Sequence, residues 1–193
     1  MLKKNLQNIG LEFDVIFFNR CAMFIDLLQK WGKIHNLTAS LSSDDIEKNI
    51  VDSIYPLKFT NNFNTLVDIG TGAGYPGMLL AIARPEAKVT LVEPRAKRVA
   101  FLNFVKSALK LENVKILQKR IEDIEEEKFD IITSRAVTNT SLLLNLTSHI
   151  KDDNTEYLFY KGSVCEEEIK EAQLKNYEVI KVGEHRNYLY MKR

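Results

Sequence analysis

The chain has 193 residues, 45% of them apolar, and its 27 Lys and Arg nearly balance 26 Asp and Glu for a net charge of +1. That is enough chain for one enzyme-sized core with an appendage and too little charge for a general polyanion coat; Arg95, Lys97, Arg98, Lys106 and Lys110 remain either a local basic patch or a solvated helix face. Cys21 and Cys165 lack metal-ligand spacing and read as reduced thiols with no metal, Met1 to Gly10 has no apolar signal core, and no run approaches the ~20 apolar residues that span a bilayer, so a soluble cytoplasmic protein with no membrane partner is expected.

From Leu11 to Trp31, Phe13, Phe17, Cys21, Phe24, Leu28 and Trp31 recur every three or four residues, which predicts an amphipathic helix whose end Gly32 loosens. Ser43 offers an N-cap for a second helix with an Ile46, Ile50, Ile54 stripe, stopped before Pro56. Asn61 to Asn64 marks a boundary, giving a helical extension over 1–60 and a main domain over 61–193. Strands are then predicted at 65–69, 88–93, 114–117, 129–133 and 156–161. They alternate with helices at 77–84, 95–110, 121–126 (short), 140–150 and 165–175. Such alternation predicts an α/β fold, a doubly wound, mostly parallel sheet. Tyr177 to Val182 and Tyr188 to Met191, joined by Gly183 to Asn187 without a helix, add a terminal antiparallel hairpin and bring the sheet to seven strands.

The strand-to-helix junction Val67-Asp68-Ile69-Gly70-Thr71-Gly72-Ala73-Gly74-Tyr75-Pro76-Gly77 carries an acid and four glycines, which let backbone N–H groups approach a ligand. Glu93, at the tip of the second strand, is placed to accept from a ribose. Gly72, Gly74 and Gly77 also satisfy G-x-G-x-x-G, so an NAD(P)-dependent oxidoreductase is a rival reading, and a non-enzymatic RNA-binding protein is a third. Tyr157 and Lys161 imitate a Tyr-x-x-x-Lys proton relay, but on a strand they stand about 13 Å apart, too far to cooperate. Asp68 favours a cationic ligand such as S-adenosylmethionine over pyrophosphate. The tight order Gly70, Gly72, Gly74, the hairpin and the long helical preamble point the same way.

Nearly the whole chain resembles the bacterial 16S ribosomal RNA guanine-N7 methyltransferases, the glucose-inhibited division protein B family. The resemblance is carried by Trp31 to Thr38, Asp52-Ser53-Ile54, Asp68 to Gly77, Leu80 to Glu86, Lys97 to Leu102, Ser134-Arg135-Ala136-Val137 and Lys161-Gly162. It implies a class I, Rossmann-like methyltransferase domain over 61–193. It further implies methyl transfer from S-adenosylmethionine to N7 of a guanine, position 527 in standard numbering, with 16S rRNA or the small ribosomal subunit as partner. Carried across, the family's cofactor contacts fall on Gly70, Tyr75, Ile121, Glu122 and Arg135, beside Asp68, Gly72, Gly74 and Glu93 from the loop itself. Ile121 reads equally as core, and Glu122 as a helix-start acid.

Guanine N7 is a lone-pair nucleophile at neutral pH, so no general base is expected, and the work is alignment and exclusion of water. Arg135 and Lys161, at strand ends, are candidates for orienting RNA; Lys161 also reads as a solvated strand terminus. There is no Asp/Asn-Pro-Pro-Tyr run for an exocyclic amine, and neither cysteine follows a proline. The chain departs from the family at Gly32 and at Asn49, where a histidine is usual. A monomer is expected.

Overall fold

In the computed structural model, residues 1–193 are described except Asn36, Glu126, His185 and Arg193. Three helices come first: α1 (Leu2–Asn8), α2 (Val15–His35) and α3 (Ser43–Ile54). Then follow β1 (Thr65–Ile69), α4 (Gly77–Ala83), β2 (Lys88–Val92), α5 (Ala96–Leu109), β3 (Val114–Leu117) and β4 (Ile131–Arg135). The chain continues with α6 (Thr140–Leu146), β5 (Glu156–Lys161), α7 (Cys165–Glu171), β6 (Glu178–Val182) and β7 (Arg186–Met191). One seven-stranded sheet results, in the order β3-β2-β1-β4-β5-β7-β6.

β1 pairs in parallel with β2 on one side and β4 on the other, whereas β7 runs antiparallel to β5 and β6. The α/β class, the mostly parallel sheet and the terminal hairpin are therefore as the sequence predicts. Strand order reverses between β1 and β4, and a crevice opens at such a switch point beyond the carboxyl ends of the strands.

Both faces of the sheet are covered, which is why β1, β2 and β5 read as nearly unbroken apolar runs. Leu66, Leu91, Ile131, Leu158 and Tyr188 share one apolar cluster with α2 to α5. Val67, Ile132, Phe159 and Leu189 pack on the opposite face against Leu143 of α6 and Ile169 of α7.

Several boundaries differ for identifiable reasons. α2 begins at Val15, with Asp14 Oδ1 accepting the Phe17 N–H at 2.8 Å. It continues through Gly32, where a Cβ would stand 2.3 Å from Leu41 Cδ2, so this glycine serves close packing rather than helix termination. The N-cap of α3 is Ser42, one residue before the predicted Ser43, and its side chain accepts from the Asp45 N–H at 3.1 Å. The predicted 121–126 helix is a single 3₁₀ turn, Ile121–Asp123; Glu126 lies outside the described residues. The predicted 140–150 helix breaks after Leu146, and the 165–175 helix stops at Glu171.

Both cysteines are buried, and burial pushes the Cys21 thiol up to about 12 and raises that of Cys165. Neither is an available thiolate at neutral pH. Among the described residues no helix is long and apolar enough to cross a membrane, and no group of three or more His, Cys, Asp or Glu gathers as a metal site.

Candidate functional site

The glycine loop is sewn to the end of β2. The N–H groups of Gly70 and Thr71 donate to the Val92 carbonyl at 2.8 and 3.2 Å, and the Gly72 N–H donates to Glu93 Oε2 at 3.0 Å. Gly70 and Gly72 hold φ of +67° and +60°, the left-handed region that favours glycine. Glu93 also accepts from the Arg95 N–H at 2.9 Å and from Arg98 at 3.4 Å, so this buried carboxylate organises the loop at the edge of the crevice. At Gly74 a Cβ would lie 2.9 Å from Met78 Cβ, which makes it a packing position against α4.

Asp68 is fully buried beneath the loop. Its Oδ2 accepts the Gly77 N–H at 2.8 Å, fixing the start of α4, while Oδ1 has no hydrogen-bond partner. Desolvation dominates and raises the carboxyl to about 7, against the opposing effects of Thr71, the Gly77 N–H and Arg135. Gly77 is close-packed on it: a Cβ there would sit 2.6 Å from Asp68 Cβ.

Gly70, Ile121 and Glu122 meet in one crevice of about 190 Å³, walled also by Val92, Pro94 and Leu142. Val137 narrows it, lying so close over Gly70 that a Cβ on that glycine would be 2.5 Å from Val137 Cγ2. Tyr75 is not in this crevice. It is buried behind the loop, edge-on to Phe24 with ring centroids 5.6 Å apart, and burial raises its phenol.

Arg135 lies on the other side, in a cleft of about 930 Å³ between α3 and the ends of β4, β5 and β7. Its guanidinium stands 4.8 Å over the Tyr75 ring and donates to Asn49 Oδ1 at 2.9 Å and Asp52 Oδ2 at 3.1 Å. Asp52 further accepts from Arg186 Nε at 2.6 Å, from Arg186 Nη2 at 2.9 Å and from the Tyr188 hydroxyl at 2.9 Å. Asn49, the departure from the family histidine, therefore serves as a neutral acceptor for Arg135.

Lys161 also faces this cleft but is not a solvated terminus. It is buried and paired with Glu168 at 2.6 Å. Burial acts to raise the Glu168 carboxyl, but hydrogen bonds from Lys161 and Thr140 outweigh it and hold it below the usual range. Tyr157 and Lys161 lie four residues apart along the extended β5, which is why they form no proton relay.

Sequence reasoning missed Asp52, Arg186 and Glu168 as partners in this cleft, and Thr138, which lines both cavities. Asp52 and Arg186 are 134 residues apart, and no local pattern joins them. Ala136, between Arg135 and the Val137 lid, holds φ of +56°, so the wall separating the cavities turns through an unfavourable backbone region.

The family profile described as rRNA small subunit methyltransferase G matches residues 18–188. A relative from Aliarcobacter butzleri, named Ribosomal RNA small subunit methyltransferase G, is 53% identical over 192 residues, covering 100% of this chain and 98% of its own. One of the same name from Wolinella succinogenes is 44% identical, covering 89% of each chain. Among solved structures, a methyltransferase from Geobacter sulfurreducens superposes with TM-score 0.67 at 14% identity, over 97% of this chain and 95% of its own. A SAM dependent methyltransferase from Aquifex aeolicus gives 0.61 at 15% identity, over 93% and 98%. The structural likeness supports the fold, the sequence likeness extends across the glycine loop and both cavities, and the chain belongs to the rRNA small subunit methyltransferase G family.

Proposed function

We propose that the chain methylates N7 of a guanine in 16S rRNA, the position numbered 527, with S-adenosylmethionine held at the glycine loop and RNA in the cleft beside Arg135. The observation that carries this reading is the shared wall: Thr138 lines both the crevice of Gly70, Ile121 and Glu122 and the larger cleft. A donor in the crevice and an acceptor base in the cleft would come together past Thr138, the residue the two cavities share.

The residues fit such a donor. Gly70 and Gly72 bare the main chain, Ile121 offers an apolar rest for an adenine, and Glu122 supplies a carboxylate for hydroxyl or amine groups, while Glu93 is committed to the Gly72 and Arg95 N–H groups and to Arg98 and shapes the loop from behind. Asp68, whose carboxyl burial raises to about 7, would release its proton when a cationic ligand settles on the loop and would then oppose that charge from below. When bound, S-adenosylmethionine supplies an electrophilic methyl group. The crevice of about 190 Å³ is smaller than the ~300–1,000 Å³ usual for ligand pockets, so a ligand that covers Gly70 would have to displace Val137, which is 44% exposed.

On the RNA side, Arg135 is fixed by Tyr75, Asn49 and Asp52 before any substrate arrives, which reduces the ordering cost of binding. No proton need leave guanine N7 before attack, and the chain's task is to orient the base and keep water out. Residues 1–60 act as the substrate-side extension and 61–193 as the cofactor domain. The protein works as a monomer in the cytoplasm.

Mass mapping of 16S rRNA from a strain lacking the gene tests the assignment. Loss of one N7-methyl mark, restored by the wild-type chain, is expected, and an intact mark sinks it. S-adenosylhomocysteine should raise the melting temperature while NAD leaves it unchanged.

A further inference from the structure

A third cavity, of about 400 Å³, opens between α1, α3 and β7, beside the cleft described above. Ile9, Val51 and Tyr55 give it apolar walls, and Asn5 and Asn8 line it with side-chain amides. The Tyr55 ring is held in place by stacking on Tyr188, with centroids 5.4 Å apart and planes 10° from parallel, and Lys58 Nζ stands 5.2 Å over it, a flexible side chain that a stacking base would displace. Apolar and aromatic surface with amides nearby is the chemistry that receives a nucleobase: stacking is sequence-tolerant and an amide pairs with a base edge.

The pocket does not stand alone. Lys48, Asp52, Val182 and Arg186 line both it and the large cleft, so they form the divide between the two. Around that divide Lys48, Arg135 and Arg186 set three cations against the carboxylates of Asp52 and Asp45. A strand of RNA with one base in the cleft and another in the pocket must carry its backbone across this positively biased saddle.

We infer that the pocket under α1 is a second nucleotide subsite, taking the base of an rRNA residue flanking the target guanine while Lys48 and Arg186 meet the phosphate between them. This rests on the rRNA reading of the cleft. It assigns the first helix a purpose, since α1 contributes Asn5, Asn8 and Ile9 to the pocket. Lys48 extends from α3 with its side chain 74% exposed and would give up an exposed 3.5 Å pair with Asp45 to follow a phosphate, while Arg186 is oriented by two bonds to Asp52 and one to the Lys161 carbonyl.

The test pairs the full chain with an RNA fragment containing the target guanine and abasic sites placed one at a time on either side. Binding is followed by anisotropy and N7 methylation by mass. For the native protein one flanking abasic site should weaken binding about 10-fold. Asn8→Trp, an exposed substitution that fills the mouth of the pocket, should weaken the intact fragment by a similar factor and abolish the difference between intact and abasic RNA. Lys48→Gln should lower the salt dependence of binding by about one phosphate contact without changing the S-adenosylhomocysteine melting shift.

Equal response of the native and Asn8→Trp proteins to every abasic site overturns the subsite, whatever the methylation result. So does a variant defect seen only with intact subunits and not with the RNA fragment, which would assign the pocket to a ribosomal protein. Loss of N7 methylation with the abasic discrimination retained overturns the methylation reading and leaves the subsite standing.

Discussion

Arg135 and Asp52 meet at 3.1 Å across the mouth of the cleft, joining the end of β4 to α3. Because Asp52 also takes two hydrogen bonds from Arg186, one carboxylate sets the position of two guanidinium groups. Asp52→Asn keeps the size and loses the charge, so both arginines loosen. The expected result is a fall in kcat/KM for rRNA of roughly 10- to 100-fold, with the S-adenosylhomocysteine melting shift retained. Steady-state methylation beside thermal melts checks it; an unchanged kcat/KM would show that both arginines hold their places unaided.

Asp68 gives the protein a pH dependence of definite sign. Its folded-state carboxyl is raised from 3.8 to about 7, so between those values the native state keeps a proton that the unfolded chain has released. This contribution is favourable at low pH and is lost as pH rises through the window. Asp68→Asn retains an acceptor for the Gly77 N–H and cannot ionise. It should match the native protein near pH 4 and exceed it at pH 8 by on the order of a few kcal/mol. Urea unfolding at the two pH values decides; a constant difference would mean that Asp68 is charged throughout.

Two glycines of the loop should fail in different ways. At Gly77 a Cβ would lie 2.4 Å from Leu91 Cδ2 and 2.6 Å from Asp68 Cβ, so Gly77→Ala overpacks the core and costs roughly 1–3 kcal/mol. At Gly72 the nearest atom to a Cβ beyond its neighbours is 3.6 Å away, but φ is +60°. Gly72→Val should therefore fold at a strain cost of roughly 1–3 kcal/mol and lose the cofactor. Cofactor affinity retained in folded Gly72→Val would remove the loop from the binding site.

Lys161 and Glu168 should behave as a structural pair. Lys161→Met strands a mostly buried carboxylate and should destabilise by about 2–4 kcal/mol, whereas adding Glu168→Gln recovers much of the loss. If Lys161→Met leaves the unfolding midpoint in place while RNA binding drops, the lysine orients substrate after all.

The buried strands were the most legible part of the sequence. β1, β3 and β5 fall on the predicted residues; in β1 and β5 cover on both faces demands a mostly apolar run, interrupted by the buried Asp68 and flanked by Glu156 and Lys161. β4 was read two residues early, at 129–133. Its end is polar and is buried only because Thr133 and Ser134 donate to the Leu158 and Ile69 carbonyls at 2.7 and 3.1 Å. The seven-residue α1 escaped notice because only Leu2 and Leu6 are buried on it, too few to make a stripe. In the site, the glycine loop was visible because the positive φ values of Gly70, Gly72 and Gly74 demand a residue type, whereas Asp52–Arg186 follows from tertiary placement alone. Tyr75 stands behind the loop, where its ring supports Arg135 from below, a contact that tertiary packing creates and no local pattern announces.

The placement of β7 bears on how the chain is made. The last of the described strands in sequence inserts between β5 and β6 rather than adding at a margin. On a translating ribosome, five parallel strands and their helices emerge while β5 still lacks one neighbour and Asp52 still lacks Arg186. The cleft wall is thus completed late in synthesis, so nascent chains halted before β7 would present an open sheet flank, a ready target for chaperones or proteases.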